Sequence, residues 1–291
     1  MARPDHFFKY VSAERAKQII RDRTLRWSAP VRFNDPFDLQ FDMHVEYDRN
    51  QLIEDATAET WAFYSGEKEF VPANPLGHLI KEISALPQRL SKADFVETMR
   101  GGIAESLAAQ EENLPKVQAG LREQLSPVRV LCLSETPSNI LMWSHYALNH
   151  TGAVLRLSCI EALDSPWGAA QPVQYRKDMP LLFDHAGLFS FLTGQSVIDK
   201  TRILDESVTV KAIDWEYEKE WRVVYHGDAP LEYDDAPFNI SQLTGIYFGC
   251  KTSDNDWGEI SELAQHANPD IEIFAGLKSD RKFSIDFERI A

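Results

Sequence analysis

Cysteine is scarce in this chain: Cys132, Cys159 and Cys250 stand far apart, with no Cys-x-x-Cys pair among them. That spacing argues against a disulfide framework or a zinc site and suits buried thiols in a reducing compartment. No apolar run approaches the roughly 18 residues that a membrane-crossing helix needs. The opening Met1-Ala2-Arg3-Pro4-Asp5-His6 has neither an apolar core nor a cleavage site. No signal peptide and no membrane partner are therefore expected, and the expected location is cytoplasmic. Gly-x-Gly-x-x-Gly and the P-loop are also missing, which argues against Rossmann and nucleoside-triphosphatase sites. Positive charge is the rarer sign: 30 Lys and Arg stand against 45 Asp and Glu, for a net charge of −15. Such a field repels phosphates and speaks against a protein that coats nucleic acid.

What is present is a globular composition, 44% hydrophobic and 26% charged over 291 residues. That length is enough for one large domain, or for one domain with a sizeable insertion. Phe7–Val11 reads as a strand, Ser12 as the cap of a helix carrying Ala13, Ala16, Ile19 and Ile20, and Leu25–Ser28 as a second strand. Residues about 49 to 125 are rich in Ala, Glu, Gln and Leu, with helical periodicity in Gln51–Phe63, Leu76–Leu86, Ala93–Ala109 and Val117–Leu125. This stretch reads as a helical insertion. Strands dominate afterwards, at Val128–Ser134, Gly152–Ser158, Pro172–Arg176, Glu220–His226, Gly245–Cys250, Ile271–Ala275 and Lys282–Phe287. Helices are expected at Asn139–His150, Leu181–Asp205 and Asp256–His266. Strands and helices do not alternate regularly, so the expected class is α+β, with mixed, largely antiparallel sheets in a single domain.

Residues 1–35 run against the overall charge, with eight Lys or Arg facing four acids, a local balance of +4. A positive pocket in an acidic protein suits a small phosphorylated ligand, although Arg15, Arg21 and Arg23 also fit a solvated helix face. Three motifs carry the rest of the chemistry. The first runs from Ser28 through Asn34-Asp35-Pro36-Phe37-Asp38, preceded by Phe8-Lys9-Tyr10. The second is Cys132-Leu133-Ser134-Glu135 with Met142-Trp143-Ser144-His145-Tyr146-Ala147 and His150-Thr151-Gly152. The third is Lys211 with Trp215-Glu216-Tyr217-Glu218-Lys219-Glu220-Trp221-Arg222-Val223-Val224.

Read as a strand, the third motif puts Glu216, Glu218, Glu220 and Arg222 on one face. Neighbouring carboxylates repel and need a cation or ligand to compensate. Salt bridges to Arg222 or Lys211 on a solvated edge strand are the plainer reading. In the first motif, Asn34 and Asp38 read most simply as turn and cap residues bonded to local backbone. The functional alternative puts Asp35 or Asp38 at a pocket rim. Lys9 or Arg26 would pair with a pyrophosphate, and Tyr10, Trp27 or Trp143 would stack on a ring. His145 is a candidate acid or base.

In this order, the three motifs resemble the domain-of-unknown-function 2971 family of bacterial proteins. Glu218-x-Glu220 further resembles the Glu-x-Glu signature of ADP-ribosyltransferases. That likeness implies Glu220 as the catalytic carboxylate, Glu218 as its helper, Lys9 at the early basic position and Ser28 at the hydroxyl position. Lys stands where Arg or His is usual, and one Ser stands where a Ser-Thr-Ser run is common. The implied activity is an NAD-dependent transferase or NAD glycohydrolase, possessing a protein or nucleic-acid acceptor in the transferase case and serving as a toxin or phage-defence effector. Two other readings stay open. One is a metal-dependent phosphodiester hydrolase using Asp35, Asp38, Glu218 and Glu220; the other is a non-catalytic sensor or interaction protein.

Overall fold

The computed structural model describes residues 3–227 and 231–291, so Met1 and Ala2 of the N-terminal segment lie outside it. The chain is α+β and forms two units. One comprises Met1–Gln40, Gln124–Asp178 and Val208–Ala291; the other comprises Phe41–Glu123 and Met179–Ser207. Among the described residues no helix is long and apolar enough to cross a membrane.

The larger unit is built on a mixed, largely antiparallel sheet. Its strands run in the order Tyr233–Pro237, Thr24–Ser28, Val128–Ser134, His6–Val11, Ala153–Ser158, Leu243–Phe248, Glu272–Lys278 and Ile285–Arg289. Leu243–Phe248 pairs in parallel with Glu272–Lys278. The strand Glu220–His226 pairs along the whole of Val128–Ser134, with Glu220 opposite Ser134 and His226 opposite Val128. Period two then sorts the side chains. Leu131, Leu133, Trp221 and Val223 enter the main apolar core together with Phe7, Leu155 and Leu157. Helices Ala13–Asp22 and Asp254–Ala267 close that core with Ala16, Ile19, Ile20, Ile260 and Ala264. Each starts at a serine, Ser12 or Ser253, whose side chain accepts from a first-turn amide.

Several expected boundaries move. The helix expected over Asn139–His150 is only Ile140–His145, capped by Asn139. Leu148, Asn149 and His150 then adopt left-handed backbone, with φ of 48°, 55° and 70°. They return the chain to the sheet at Gly152, where a Cβ would stand 2.1 Å from the Val11 carbonyl oxygen. The glycine of the second motif is thus required by a backbone-to-backbone approach. Gly152→Ala is expected to cost about 1–3 kcal/mol through overpacking, read as a lower midpoint in urea unfolding; an unchanged midpoint would show that the approach relaxes freely.

The smaller unit is mostly helical. Arg49–Ser65 is capped by Asp48 and stopped by left-handed Gly66, and Pro75–Ser84 is capped by Asn74. The two helices expected at Ala93–Ala109 and Val117–Leu125 are one, Lys92–Leu125, with Pro115 inside it. Conversely, the helix expected over Leu181–Asp205 is broken into a short strand Leu181–Phe183 and helices His185–Leu192 and Lys200–Thr209. Left-handed Gly194 follows the first of these helices. Leu52, Ala56, Ile103, Leu107, Leu188 and Leu192 form one of its apolar clusters.

Candidate functional site

The sheet of the larger unit parts at one place. His6–Val11 and Thr24–Ser28 both pair with Val128–Ser134, Phe8 lying opposite Ser134 and Ser28 opposite Val130. Cys132 falls midway, and its carbonyl oxygen accepts from Lys9 Nζ at 3.0 Å. A cavity of about 350 Å³ is lined from all three strands, by Lys9, Arg26, Ser28 and Cys132 among others, and also by Asp38, His145, Tyr146, Lys211, Glu218 and Glu220. Its size lies at the lower end of small-molecule sites.

Three of its lining carboxylates are locked together with two cations, Lys211 and Arg222. Lys211 Nζ lies 2.5 Å from Glu218 Oε2, 2.9 Å from Glu220 Oε2 and 3.3 Å from Asp38 Oδ2. Arg222 donates from Nε to Glu220 Oε1 at 2.9 Å, from Nη2 to Asp38 Oδ2 at 2.6 Å and Glu220 Oε2 at 3.0 Å, and from Nη1 to the Val208 carbonyl. The Tyr146 hydroxyl donates to Glu218 Oε1 at 2.7 Å. All five charged residues are buried. The compensation that a run of acids demands is therefore supplied inside the chain, and it is buried rather than solvated as an edge strand would have it.

The route to that cluster differs from the expected strand. Ile213–Glu218 is a 3-10 helix and Lys219 is left-handed at φ 45°, so the strand begins only at Glu220. Glu216 accordingly does not share a strand face with Glu218 and Glu220. On either side of the left-handed Lys219, Glu218 and Glu220 meet one ammonium. Asp38, expected as a turn residue, is instead a member of the cluster; the turn bond is made by Asp35, whose Oδ1 accepts from the Phe37 amide at 2.9 Å.

Environment drives the carboxyls apart. Burial would raise Glu220, but Arg222 and Lys211 outweigh it and hold its carboxyl well below the usual range. For Asp38 and Glu218 burial wins, and both are raised despite the same cations. Lys9 is lowered, chiefly by burial, with the charge of Glu220 among the opposing effects.

Of the residues singled out in the sequence, Lys9, Tyr10, Arg26, Ser28, His145, Glu218 and Glu220 line the cavity. Trp27, Asp35 and Trp143 do not. Trp27 packs edge-on against Tyr225 in the core, on the strand face opposite Arg26 and Ser28. Trp143 is fully buried and donates its indole N–H to the Pro137 carbonyl. The basic surplus near the N-terminus also resolves: Arg15 and Arg26 share Asp235, while Lys17 meets Glu14, Asp256 and Glu259. Lys9 makes no ion pair within 4.0 Å among the described residues, and Arg32 has only a 3.8 Å approach to Glu232. Both line the cavity.

Residues 142–223 match a family model described as a protein of unknown function, DUF2971. No curated protein and no solved structure matches the chain. The matched stretch contains His145, Tyr146, Lys211, Glu218, Glu220 and Arg222, whereas Lys9, Arg26, Ser28 and Asp38 precede it. The cavity thus joins residues of the matched stretch to the first motif, which lies outside the match.

Proposed function

We propose that the larger unit is an NAD-handling enzyme of the ADP-ribosyltransferase or NAD-glycohydrolase kind, taking NAD as substrate in this cavity. The observation that carries the reading is Lys9. Its ammonium spends one donor on the Cys132 carbonyl, has no carboxylate partner among the described residues, and faces the same cavity as three carboxylates. An ammonium with two free donors suits a phosphate oxygen, and Arg32, the more exposed basic group, extends that positive wall. The carboxylate cluster suits the other end of the reaction. Asp38, Glu218 and Glu220 against Lys211 and Arg222 leave a formal excess of one negative charge when all are ionised. Such a fixed field stabilises positive charge developing on a ribose as its bond to nicotinamide breaks.

Carboxyls pushed in opposite directions imply different roles. Glu220, held low by its cations, is the permanent anion. Glu218, raised, is the proton-transfer group. The glycosidic C–N bond breaks with its electron pair leaving on neutral nicotinamide, and Glu218 takes the proton lost by the incoming water or acceptor. The net charge of −15 favours a protein or small-molecule acceptor over nucleic acid. Consumption of NAD, or modification of an acceptor inside a bacterium, is the mode of action of a toxin or phage-defence effector.

The test is adenine-labelled NAD incubated with the protein and a bacterial lysate, wild type beside Lys9→Met. Released ADP-ribose, or label on an acceptor, is expected with the wild type. Lys9→Met should raise KM about tenfold or more, the value of a hydrogen bond to a charged group. Because Lys9 is lowered from 10.5, wild-type affinity should fall as pH rises toward that value, and Lys9→Met should lack this limb. Neither label nor nicotinamide release at any pH would overturn the reading.

A further inference from the structure

Both oxygens of Glu220 already accept from Arg222 or Lys211, and both oxygens of Glu218 accept from Tyr146 or Lys211. Asp38 is different. It is 2% exposed, its Oδ2 takes Arg222 and Lys211, and its Oδ1 is buried without a hydrogen-bond partner. A carboxylate oxygen left this way costs free energy unless something donates to it. The residue lines the cavity that also holds Lys9.

We infer that Asp38 is the specificity-determining acceptor of this site, its Oδ1 receiving a hydroxyl of a phosphorylated sugar whose phosphate meets Lys9. The ligand class is a ribose phosphate or nucleotide, and the inference deepens the NAD reading without requiring that NAD be the molecule. Arg222 and Lys211 present only donors to Asp38, so they fix the side chain's orientation. In Asp38→Asn the amide oxygen must stay toward them, which puts the NH2 group at the Oδ1 position. That substitution converts the free acceptor into a donor with almost no change of shape.

The experiment is calorimetric titration of the full chain with adenosine 5′-monophosphate and with its 2′,3′-dideoxy analogue. The wild type should prefer the ribose form by about tenfold or more. Asp38→Asn, which removes one negative charge from the cavity that Lys9 also lines, should keep or gain affinity for the dideoxy form and lose the preference. Equal affinity of the wild type for the two nucleotides would overturn the inference, and so would binding of neither. Because the wild-type ratio needs no variant, a poorly folding Asp38→Asn cannot rescue the inference. Failure of the NAD reading is distinguishable: a ribose preference without NAD turnover leaves Asp38's role standing and removes only the reaction.

Discussion

Arg222→Met lowers the free energy of unfolding by about 3–5 kcal/mol, the usual result of removing one partner from a buried ion network. Arg222 is 1% exposed and holds two carboxylates, the sequence neighbour Glu220 and the distant Asp38. The methionine fills much of the space but leaves Lys211 as the remaining counter-charge for three acids. Domains are commonly stable by about 5–15 kcal/mol, so the variant should be marginal, with a visibly lower midpoint in urea. The loss should also depend on pH, with a definite sign. Glu220 is depressed in the folded protein, so its contribution is present above the ordinary carboxyl value of 4.5 and disappears as pH falls through the lower folded value. Without Arg222 that depression shrinks. The gap between wild type and variant should therefore narrow below about pH 4.5. An equal gap at neutral and acidic pH would mean that the guanidinium acts by packing alone. Arg222→Lys should fall between the two, since an ammonium cannot reproduce the fork that spans Asp38 and Glu220.

The same cluster marks where sequence reasoning stops. Strands with alternating or apolar patterns were legible: Val128–Ser134 and Glu220–His226 stand where their residues predict. The edge strand Tyr233–Pro237 was not, because Tyr-Asp-Asp-Ala-Pro has charge and proline where strand signals are sought. The Trp-Glu-Tyr-Glu-Lys-Glu run has strand-like alternation, yet its first part folds as a 3-10 turn. A left-handed Lys219 is a tertiary outcome that no local preference announces. Lys9, Arg26, Ser28, Glu218 and Glu220, picked out by residue type or by the Glu-x-Glu resemblance, all line the cavity. Asp38 was named only as an alternative to a turn residue, since its bond to Arg222 crosses 184 residues and its local context reads as a turn. The aromatic candidates Trp27 and Trp143 show the opposite error. Both are ring-bearing neighbours of polar motif residues, and burial of their large apolar surface took precedence over any ligand.

Glu218→Gln is the substitution that separates chemistry from folding, and it should lower NAD turnover by about 10²–10⁴-fold, the range for loss of a positioned acid or base. The glutamine can sit where the glutamate sits. Its oxygen faces Lys211, which only donates, and its NH2 faces the Tyr146 hydroxyl, which can turn to accept. Removing a charge that burial already disfavours further limits the cost, so the urea midpoint should move little. Glu220→Gln has no such escape. Oε1 receives Arg222 Nε, and Oε2 receives both Lys211 and Arg222, so the amide NH2 must point at a donor whichever way it turns. Lost activity in that variant would arrive together with lost stability and would say nothing about the reaction. The pH profile gives the decisive signature for Glu218. As the base it must be ionised, and its carboxyl is raised above 4.5, so kcat/KM should fall as pH drops through that raised value. Glu218→Gln should flatten this acid limb while leaving the alkaline one that belongs to Lys9. An acid limb that survives in Glu218→Gln would assign the proton transfer to another group, with Asp38, the other raised carboxyl in the cavity, first in line.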